Sequence, residues 1–462
     1  MRKDKIFRVL MMVVLAVAWM QVAAHDFEVN GIYYLINGNE AAVTFKGTYS
    51  DEYNDEYSGV VNIPSTVTYG GVTYPVTSIS EWAFYYCFGV TNVTIPTSIK
   101  TIGRGAFNNC RGLASLTIPR SVTTLGDYSL IYCVKLTSLT IPRSVTSIGD
   151  QVFGFNDQLR TLKVESGNPV YDSRGNCNAI IETASNTLVY GCLTTVIPNT
   201  VTTLGPFSLR TIAGLTTIAI PSSVTTLGMG VFQKCQYLTS IEIPNSVTTI
   251  GDMAFSECNG LTSIVIPNSV TSLGSYVFHW CESLTRVTLP NTLPELPTSL
   301  FAGCKSLTGV TIPSTVTKIG WSAFNECTSL RSITIPAAVT TIRESAFSNC
   351  TSLTTVTCLA TVPPALDDGT VFDPEYDTAT LRVPEASLGA YRADAYWRLF
   401  HTIEARETTG DLNGDGRADV SDVVMLINAV LNSTDLPNGD INGDNRIDVA
   451  DVVSLINMVL SV

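Results

Sequence analysis

The residues best suited to chemistry in this chain lie in two short acidic segments near its C-terminus. They read D-L-N-G-D-G-R-A-D-V-S-D from Asp411 to Asp422 and D-I-N-G-D-N-R-I-D-V-A-D from Asp440 to Asp451, their starts 29 residues apart. Oxygen-bearing side chains recur at positions 1, 3, 5, 9 and 12 of each. In the first these are Asp411, Asn413, Asp415, Asp419 and Asp422; in the second, Asp440, Asn442, Asp444, Asp448 and Asp451. That is the spacing of a calcium loop, in which a hard cation gathers about six to eight oxygens and position 7 adds a main-chain carbonyl. Arg417 and Arg446 stand at position 7. Position 6, where the backbone turns left-handed, holds Gly416 and Asn445, two residue types that tolerate that conformation. The predicted cofactor is calcium, two ions in all.

Each loop runs into an apolar stripe at helical spacing: Val423, Leu426, Ile427, Val430 and Leu431, then Val452, Leu455, Ile456, Val459 and Leu460. Thr408-Thr409-Gly410 and Pro437-Asn438-Gly439 read as turns, so no helix precedes either loop and the unit is not a full EF-hand. From Glu407 to Val462 there are ten acidic residues against two arginines, a formal charge of −8. A duplicated loop-then-helix over 407–462, with Asp rather than Glu at position 12, resembles the type I dockerin. The resemblance implies docking onto a cohesin-like partner, often within glycan-degrading systems. It also implies recognition through loop positions 10 and 11, which are Val420 and Ser421 in the first copy and Val449 and Ala450 in the second. These near-duplicate pairs would permit two binding orientations, and their apolar character departs from the Ser/Thr pairs of the family.

What precedes this module is a repeat. Pro96, Pro119 and Pro142 are 23 residues apart, as are Pro198, Pro221, Pro244, Pro267, Pro290, Pro313 and Pro336. The surrounding text approximates L-T-S-I-T-I-P-x-S-V-T-x-I-G-x-x-A-F-x-x-C. An aromatic column runs through Phe84, Phe107, Phe153, Phe232, Phe255, Phe278, Phe301, Phe324 and Phe347, with Leu130 and Leu209 in its gaps. Three residues on, Cys87, Cys110, Cys133, Cys235, Cys258, Cys281, Cys304, Cys327 and Cys350 form a second column, interrupted by Asn156 and Ile212. Alternation as in Leu113–Ile118 predicts a half-buried strand, Ser121–Gly126 a second short strand, and A-F-x-x-C a helical turn. One unit cannot bury its apolar face alone, whereas stacked units can. The predicted fold is therefore a mainly β repeat solenoid with a small α-helical calcium-binding domain. Over residues 60–358 the repeat resembles the BspA-like leucine-rich repeat of bacterial surface proteins, which implies adhesion.

The predicted organisation is a signal peptide at 1–24, an N-terminal cap at 25–58, the leucine-rich-repeat solenoid at 59–358, a C-terminal cap at 359–406 and the dockerin at 407–462. The leader reading rests on the basic start (Arg2, Lys3, Lys5, Arg8), the apolar run Val9–Met20 and the small residues Val22-Ala23-Ala24. Its removal shifts the formal charge from −13 to −16, and no later stretch would span a bilayer. An insertion at about 157–197 reads as a hairpin turning near Ala184-Ser185-Asn186. It either projects as a binding element or elaborates a broken repeat. In the C-terminal cap we expect a strand, then a short helix bringing Tyr391, Trp397 and Phe400 over the last coil.

Nine of the twelve cysteines share one column, where parallel Cβ vectors disfavour disulfides and convergent metal ligation. Buried thiols are expected there, while Cys177 and Cys192 fall opposite each other in the hairpin, where a bridge could form. The acidic mature chain has no basic patch and argues against nucleic acid. His25, His279 and His401 lie far apart, and no nucleophile elbow, zinc motif or phosphate loop appears. The expectation is a secreted or cell-surface bacterial binding protein, not an enzyme. An accessory or enzymatic component of a polysaccharide-degrading complex and a structural spacer stay open as alternatives. The solenoid's ligand would be an extracellular protein or glycan. Tyr276, His279, Trp280 and Trp321 read either as an aromatic patch or as ordinary packing at turn columns.

Overall fold

The computed structural model describes residues 25–47, 56–406, 410–413, 418–432, 434, 436, 438–441 and 446–460. The predicted leader, and parts of both calcium loops, lie outside them. Two compact units divide the chain, Met1–Thr249 and Ile250–Val462.

The first unit begins with an antiparallel ribbon, Phe27–Val29, Ile32–Asn37 and Glu40–Thr44. Its last strand pairs parallel with Val72–Ile79, so the ribbon covers the open edge of the first coil. From there each coil adds a rung to parallel ladders in strict 23-residue register. Thr101–Ile102 pairs with Thr124–Leu125, which pairs with Ser147–Ile148. On another wall Asn92 pairs with Ser115, and Ser138–Ile141 with Thr161–Val164. Parallel strands need a long crossover, and the remainder of each coil supplies it. The pleat sends Leu139 and Ile141 inward and Ser138 and Thr140 outward, as the alternation predicts.

The third wall differs from expectation. The A-F-x-x-C stretch is not a helical turn but a run of overlapping tight turns. Tyr85 N–H donates to the Trp82 carbonyl (3.0 Å) and Cys87 N–H to that of Phe84 (3.2 Å). Alternate N–H groups instead reach the next coil: Trp82 to Arg104 O (2.8 Å), Phe84 to Ala106 O (2.7 Å) and Tyr86 to Asn108 O (2.9 Å). This alternation requires left-handed residues, Trp82 (φ 58°) and Tyr86 (φ 59°) here and their counterparts in later coils. A helix would spend its N–H groups internally, leaving none for stacking. Left-handed backbone disfavours residues with a Cβ by about 1–2 kcal/mol each. Glycine is required at Gly105 and Gly230, whose Cβ atoms would fall 2.1 Å from the Trp82 ring and 2.4 Å from the Phe207 ring.

Inside, like residues stack on like. Phe84 and Phe107 are 5.0 Å apart and nearly parallel, and Leu130 and Leu209 fill the same column fully buried. The thiols have a defined task. Cys110 donates to Phe84 O (3.1 Å), Cys133 to Phe107 O (3.3 Å) and Cys235 to Leu209 O (3.1 Å), each reaching 26 residues back. Asn156 interrupts the column in sequence only, because its Nδ2 donates to Leu130 O at 2.9 Å over the same span.

The insertion forms the expected hairpin, Ala179–Glu182 with Thr187–Gly191, turning at 183–186. It elaborates the repeat rather than projecting, because Thr187 and Leu188 pair in parallel with Thr203 and Leu204, and Ile180, Ile181 and Leu188 are fully buried. Cys177 and Cys192 are free thiols; the latter donates to Asn178 O (3.2 Å).

In the second unit the same coils carry paired strands at Glu295–Leu296, Lys318–Ile319, Thr341–Ile342 and Ala365–Leu366. A second ladder comprises Ser332–Ile335, Thr355–Cys358, Thr380–Val383 and Thr402–Ala405. Phe255, Phe278, Phe301, Phe324, Phe347 and Phe372 stack in sequence at 4.9–5.8 Å. The short helix Leu388–Ala393 brings Tyr391 over the final coil, where its hydroxyl donates to Ala360 O (2.8 Å); Trp397 Nε1 donates to Pro364 O (2.8 Å). Tyr391, Trp397 and Phe400 are buried as expected, and Thr402–Ala405 adds a last strand beyond them.

All twelve cysteines are buried thiols. Burial pushes the thiols of Cys133, Cys235 and Cys281 up to about 12. Thiolate is the reactive species. A colorimetric thiol titration of the native chain at pH 8 should therefore read near zero, rising to twelve per chain in denaturant without reductant. A denatured value of ten would reveal a disulfide.

Glu375 follows Phe372 by three residues and so occupies the cysteine position of the last stacked coil, 1% exposed. Burial pushes its carboxyl up to about 7; the N–H groups of Glu375 and Asn349 offset this in part, and the charge of Asp373 adds to it. The unfolded chain ionises this group from about 4.5 upward while the folded chain holds the proton. Its contribution to stability is thus greatest at low pH, declines as pH rises from about 4.5 to about 7, and is level above. Glu375→Gln should stabilise the protein at pH 8 by about 3 kcal/mol relative to its effect at pH 4.5. Paired denaturant titrations across that range check this, and parallel wild-type and variant curves would refute it.

Candidate functional site

Each described part of the calcium segments is organised by its position-12 carboxylate. Asp422 is fully buried and accepts from the N–H groups of Leu412 (2.8 Å) and Asn413 (3.0 Å) through Oδ1, and from Asp419 N–H (2.8 Å) through Oδ2. Asp451 repeats this with Ile441 N–H (2.8 Å) and Asp448 N–H (2.9 Å). The start of each loop is thereby tied to its end. The helices Val420–Asn432 and Val449–Leu460 begin immediately after position 9. Asp419 Oδ1 accepts from Ser421 N–H (2.8 Å) and Asp448 Oδ1 from Ala450 N–H (2.7 Å). With the return bonds to Asp422 and Asp451, these make a capping box at each helix start.

The donor set is all hard oxygen, which fits calcium. Asp411, Asn413, Asp419 and Asp422 belong to the described part of the first loop, and Asp440, Arg446, Asp448 and Asp451 to that of the second. Asp415, Arg417, Asn442 and Asp444, with Gly416 and Asn445, lie outside the described residues. Among those described, no three acidic, His or Cys side chains converge as a metal cage.

The helices pack on each other through Val423, Leu426, Val452 and Leu455, with Leu412, Ala418, Val430, Leu436, Ile441, Ile447 and Val459 around them. The apolar stripe read from sequence needs correction. Leu431 and Leu460 are 76% and 79% exposed, and Ile427 and Ile456 are also exposed. A helix facing one neighbour buries a single arc, here Val423, Leu426 and Val430. At about 100° per residue, Val420, Val424, Ile427 and Leu431 form a second arc roughly a quarter-turn away. Val449, Val453, Ile456 and Leu460 repeat it, and all eight residues face solvent. The four partner-recognition candidates sit at the head of these arcs; Val420 and Val449 are 68% and 66% exposed. Sequence reasoning missed the second arc because helices apolar on both sides show no polar face to divide them.

On the solenoid, Tyr276, His279 and Trp280 meet edge to face at 5.6 and 5.9 Å, and Lys305 Nζ lies 4.8 Å from the Trp280 ring centre. Trp321 is about half exposed beneath the Arg343 guanidinium. Burial lowers the His279 pKa, against the raising charges of Glu257 and Glu326. A feature the sequence did not signal lies in the first unit: a cleft of about 450 Å³ where the insertion meets the coils. No helix among the described residues is long and apolar enough to cross a membrane.

Comparison with known proteins accounts for both parts of the chain. The BspA type leucine rich repeat region model matches residues 72–178, 182–308 and 249–364. The type I dockerin domain model matches residues 409–460. No curated protein matches the chain. Among solved structures, a leucine-rich repeat protein from Eubacterium ventriosum is 26% identical with a TM-score of 0.50, covering 71% of this chain and 88% of its own. A leucine rich cell surface protein from Faecalibacterium prausnitzii is 28% identical (TM-score 0.49, 72% of this chain, 94% of its own). A leucine-rich repeat protein from Bacteroides ovatus is 25% identical (TM-score 0.49, 83% and 100%). With its repeat array matched over more than half its length and its tail matched throughout, the chain belongs to the BspA type leucine-rich repeat family and carries a type I dockerin domain at its C-terminal end.

Proposed function

We propose that this chain is an exported, non-catalytic bacterial binding protein. Its solenoid engages an extracellular ligand, and its dockerin, holding two calcium ions, attaches it to a cohesin-like partner. The observation that carries the docking half is the duplicated exposed arc, Val420 to Leu431 and Val449 to Leu460. Contiguous apolar surface on a small module marks an interaction site. Calcium would be held by Asp411, Asn413, Asp415, Asp419 and Asp422 with the Arg417 carbonyl, and by Asp440, Asn442, Asp444, Asp448 and Asp451 with that of Arg446. When bound, the ion neutralises carboxylates that otherwise repel one another. The protein's own part is to set the helix starts, through Asp419–Asp422 and Asp448–Asp451, and so to orient the residues at positions 10 and 11. Export rests on the leader-like first 24 residues.

Calorimetric titration of the chain from His25 should give two calcium ions per molecule, and one for either Asp411→Ala or Asp440→Ala. In pull-downs from the producing cell, a partner should be retained in calcium and released by chelator. Val420→Asp alone should keep it, because the second arc substitutes; Val420→Asp with Val449→Asp should lose it. Retention by the double variant would refute docking through these arcs, and a flat titration would refute the calcium assignment.

A further inference from the structure

The cleft in the first unit is the place to look for the solenoid's ligand. It exists because one parallel ladder stops. Thr101–Ile102, Thr124–Leu125 and Ser147–Ile148 pair in succession, but Thr203–Leu204 pairs with the insertion's Thr187–Leu188 instead. Between Ile148 and the insertion no strand pairing forms among the described residues. Side chains close the gap: the Tyr190 hydroxyl donates to Gly149 O, and the Tyr171 hydroxyl lies beside Ile148 N–H. Nearby, Asn168 Nδ2 donates to Pro142 O (3.2 Å) and Val145 O (2.7 Å).

The volume left beside this seam, about 450 Å³, falls within the range of roughly 300–1,000 Å³ usual for small-ligand sites. Its lining joins two acidic residues, Asp150 and Glu182 (whose Oε2 already accepts from Ser185 Oγ, leaving Oε1), to an apolar surface of Val189, Pro206 and Met229. Met229 is 42% exposed there. The chemistry narrows the occupant. Two carboxylates disfavour an anion. Among the described residues no third acidic, His or Cys side chain joins them to hold a metal ion. An added peptide strand would need the ladder groups of Ile148 and Gly149, which the two tyrosines already engage. A ligand rich in hydroxyl donors with an apolar face matches both halves of this lining.

We propose that this seam cleft binds a neutral oligosaccharide. Asp150 and Glu182 accept from its hydroxyls, and Pro206 and Met229 cover the C–H face of a ring. This rests on the reading of the solenoid as the ligand-binding part, and specifies its site and ligand class.

The test is calorimetric titration of the full chain with xylotetraose, cellotetraose, maltotetraose and mannotetraose. At least one should bind. Asp150→Ala with Glu182→Ala should weaken it by about tenfold or more, since hydrogen bonds to charged groups are lost. Met229→Arg, which obstructs the cleft and leaves both carboxylates, should weaken it comparably. Either variant that melts like wild type suffices for the comparison. Binding unchanged in both would place the saccharide on another face, overturning the cleft while sparing the solenoid's binding role. Binding of none of the four sugars would overturn the proposal, and the pull-down would judge the docking function separately.

Discussion

Each coil must present backbone donors and acceptors to the next at a fixed repeat, and the rest of the molecule is arranged around that requirement. Strand pairs meet it on two walls in the ordinary way. On the third, the chain turns so tightly that a helix would satisfy itself and abandon its neighbours. Alternating right- and left-handed residues instead aim every second N–H along the stack, as Trp82, Phe84 and Tyr86 do. Fixed register has a second consequence: each side chain meets its own counterpart. Phenylalanine stacks on phenylalanine, and a thiol falls beside the same carbonyl coil after coil. Asn156 keeps that bond with different chemistry, which identifies the bond rather than the sulfur as what the position requires.

Wherever the ladder stops, another device takes over its groups. At the start an antiparallel ribbon supplies a parallel edge to Val72–Ile79. At the end Tyr391 and Trp397 donate to carbonyls that no further coil would reach. In the insertion, tyrosine side chains stand in for missing strand bonds, and Asn168 takes the Val145 carbonyl whose counterparts Val122 and Val201 receive a serine hydroxyl. Side chains are bulkier than a strand, and the cleft at the seam follows from that difference.

The repeat was legible because stacking forces like residues into like columns, so geometry is written as spacing. The dockerin module was legible for a related reason, since its duplicated loop-then-helix pattern is written as a fixed spacing. The tight-turn wall was not, because nine-residue segments such as Ser80–Phe88 carry Trp82 and Tyr86 where left-handed backbone would suggest glycine or asparagine. Inter-coil bonds override that local preference, and they are invisible in any one repeat. The exposed arcs on the dockerin helices escaped for the opposite reason. Val420, Val424, Ile427 and Leu431 look like core, and only the neighbour's position decides that Val423 and Leu426 take that role. The cleft needed the knowledge that Leu188 pairs with Leu204, a consequence of where the insertion folds back.

Under the proposed ligation, the dockerin would join metal chemistry to surface presentation through shared residues. Asp419 and Asp422 occupy loop positions 9 and 12, and they are also the two halves of the capping box that begins the first helix. Asp448 and Asp451 repeat this. Val420 and Ser421, Val449 and Ala450 lie between those carboxylates in sequence, on the first turn of each helix. Under the proposed ligation, an ion drawing on positions 9 and 12 acts on the groups that fix this first turn. Removing it leaves a segment of formal charge −8 with Asp419 and Asp422 at one helix start and Asp448 and Asp451 at the other. Helix N-termini favour negative charge, but only part of this load can be relieved by backbone N–H groups already committed to Asp422 and Asp451. On this proposal, calcium dependence of docking requires no distant conformational signal, because the residues that would hold the ion are the residues that begin the helices carrying the proposed docking arcs.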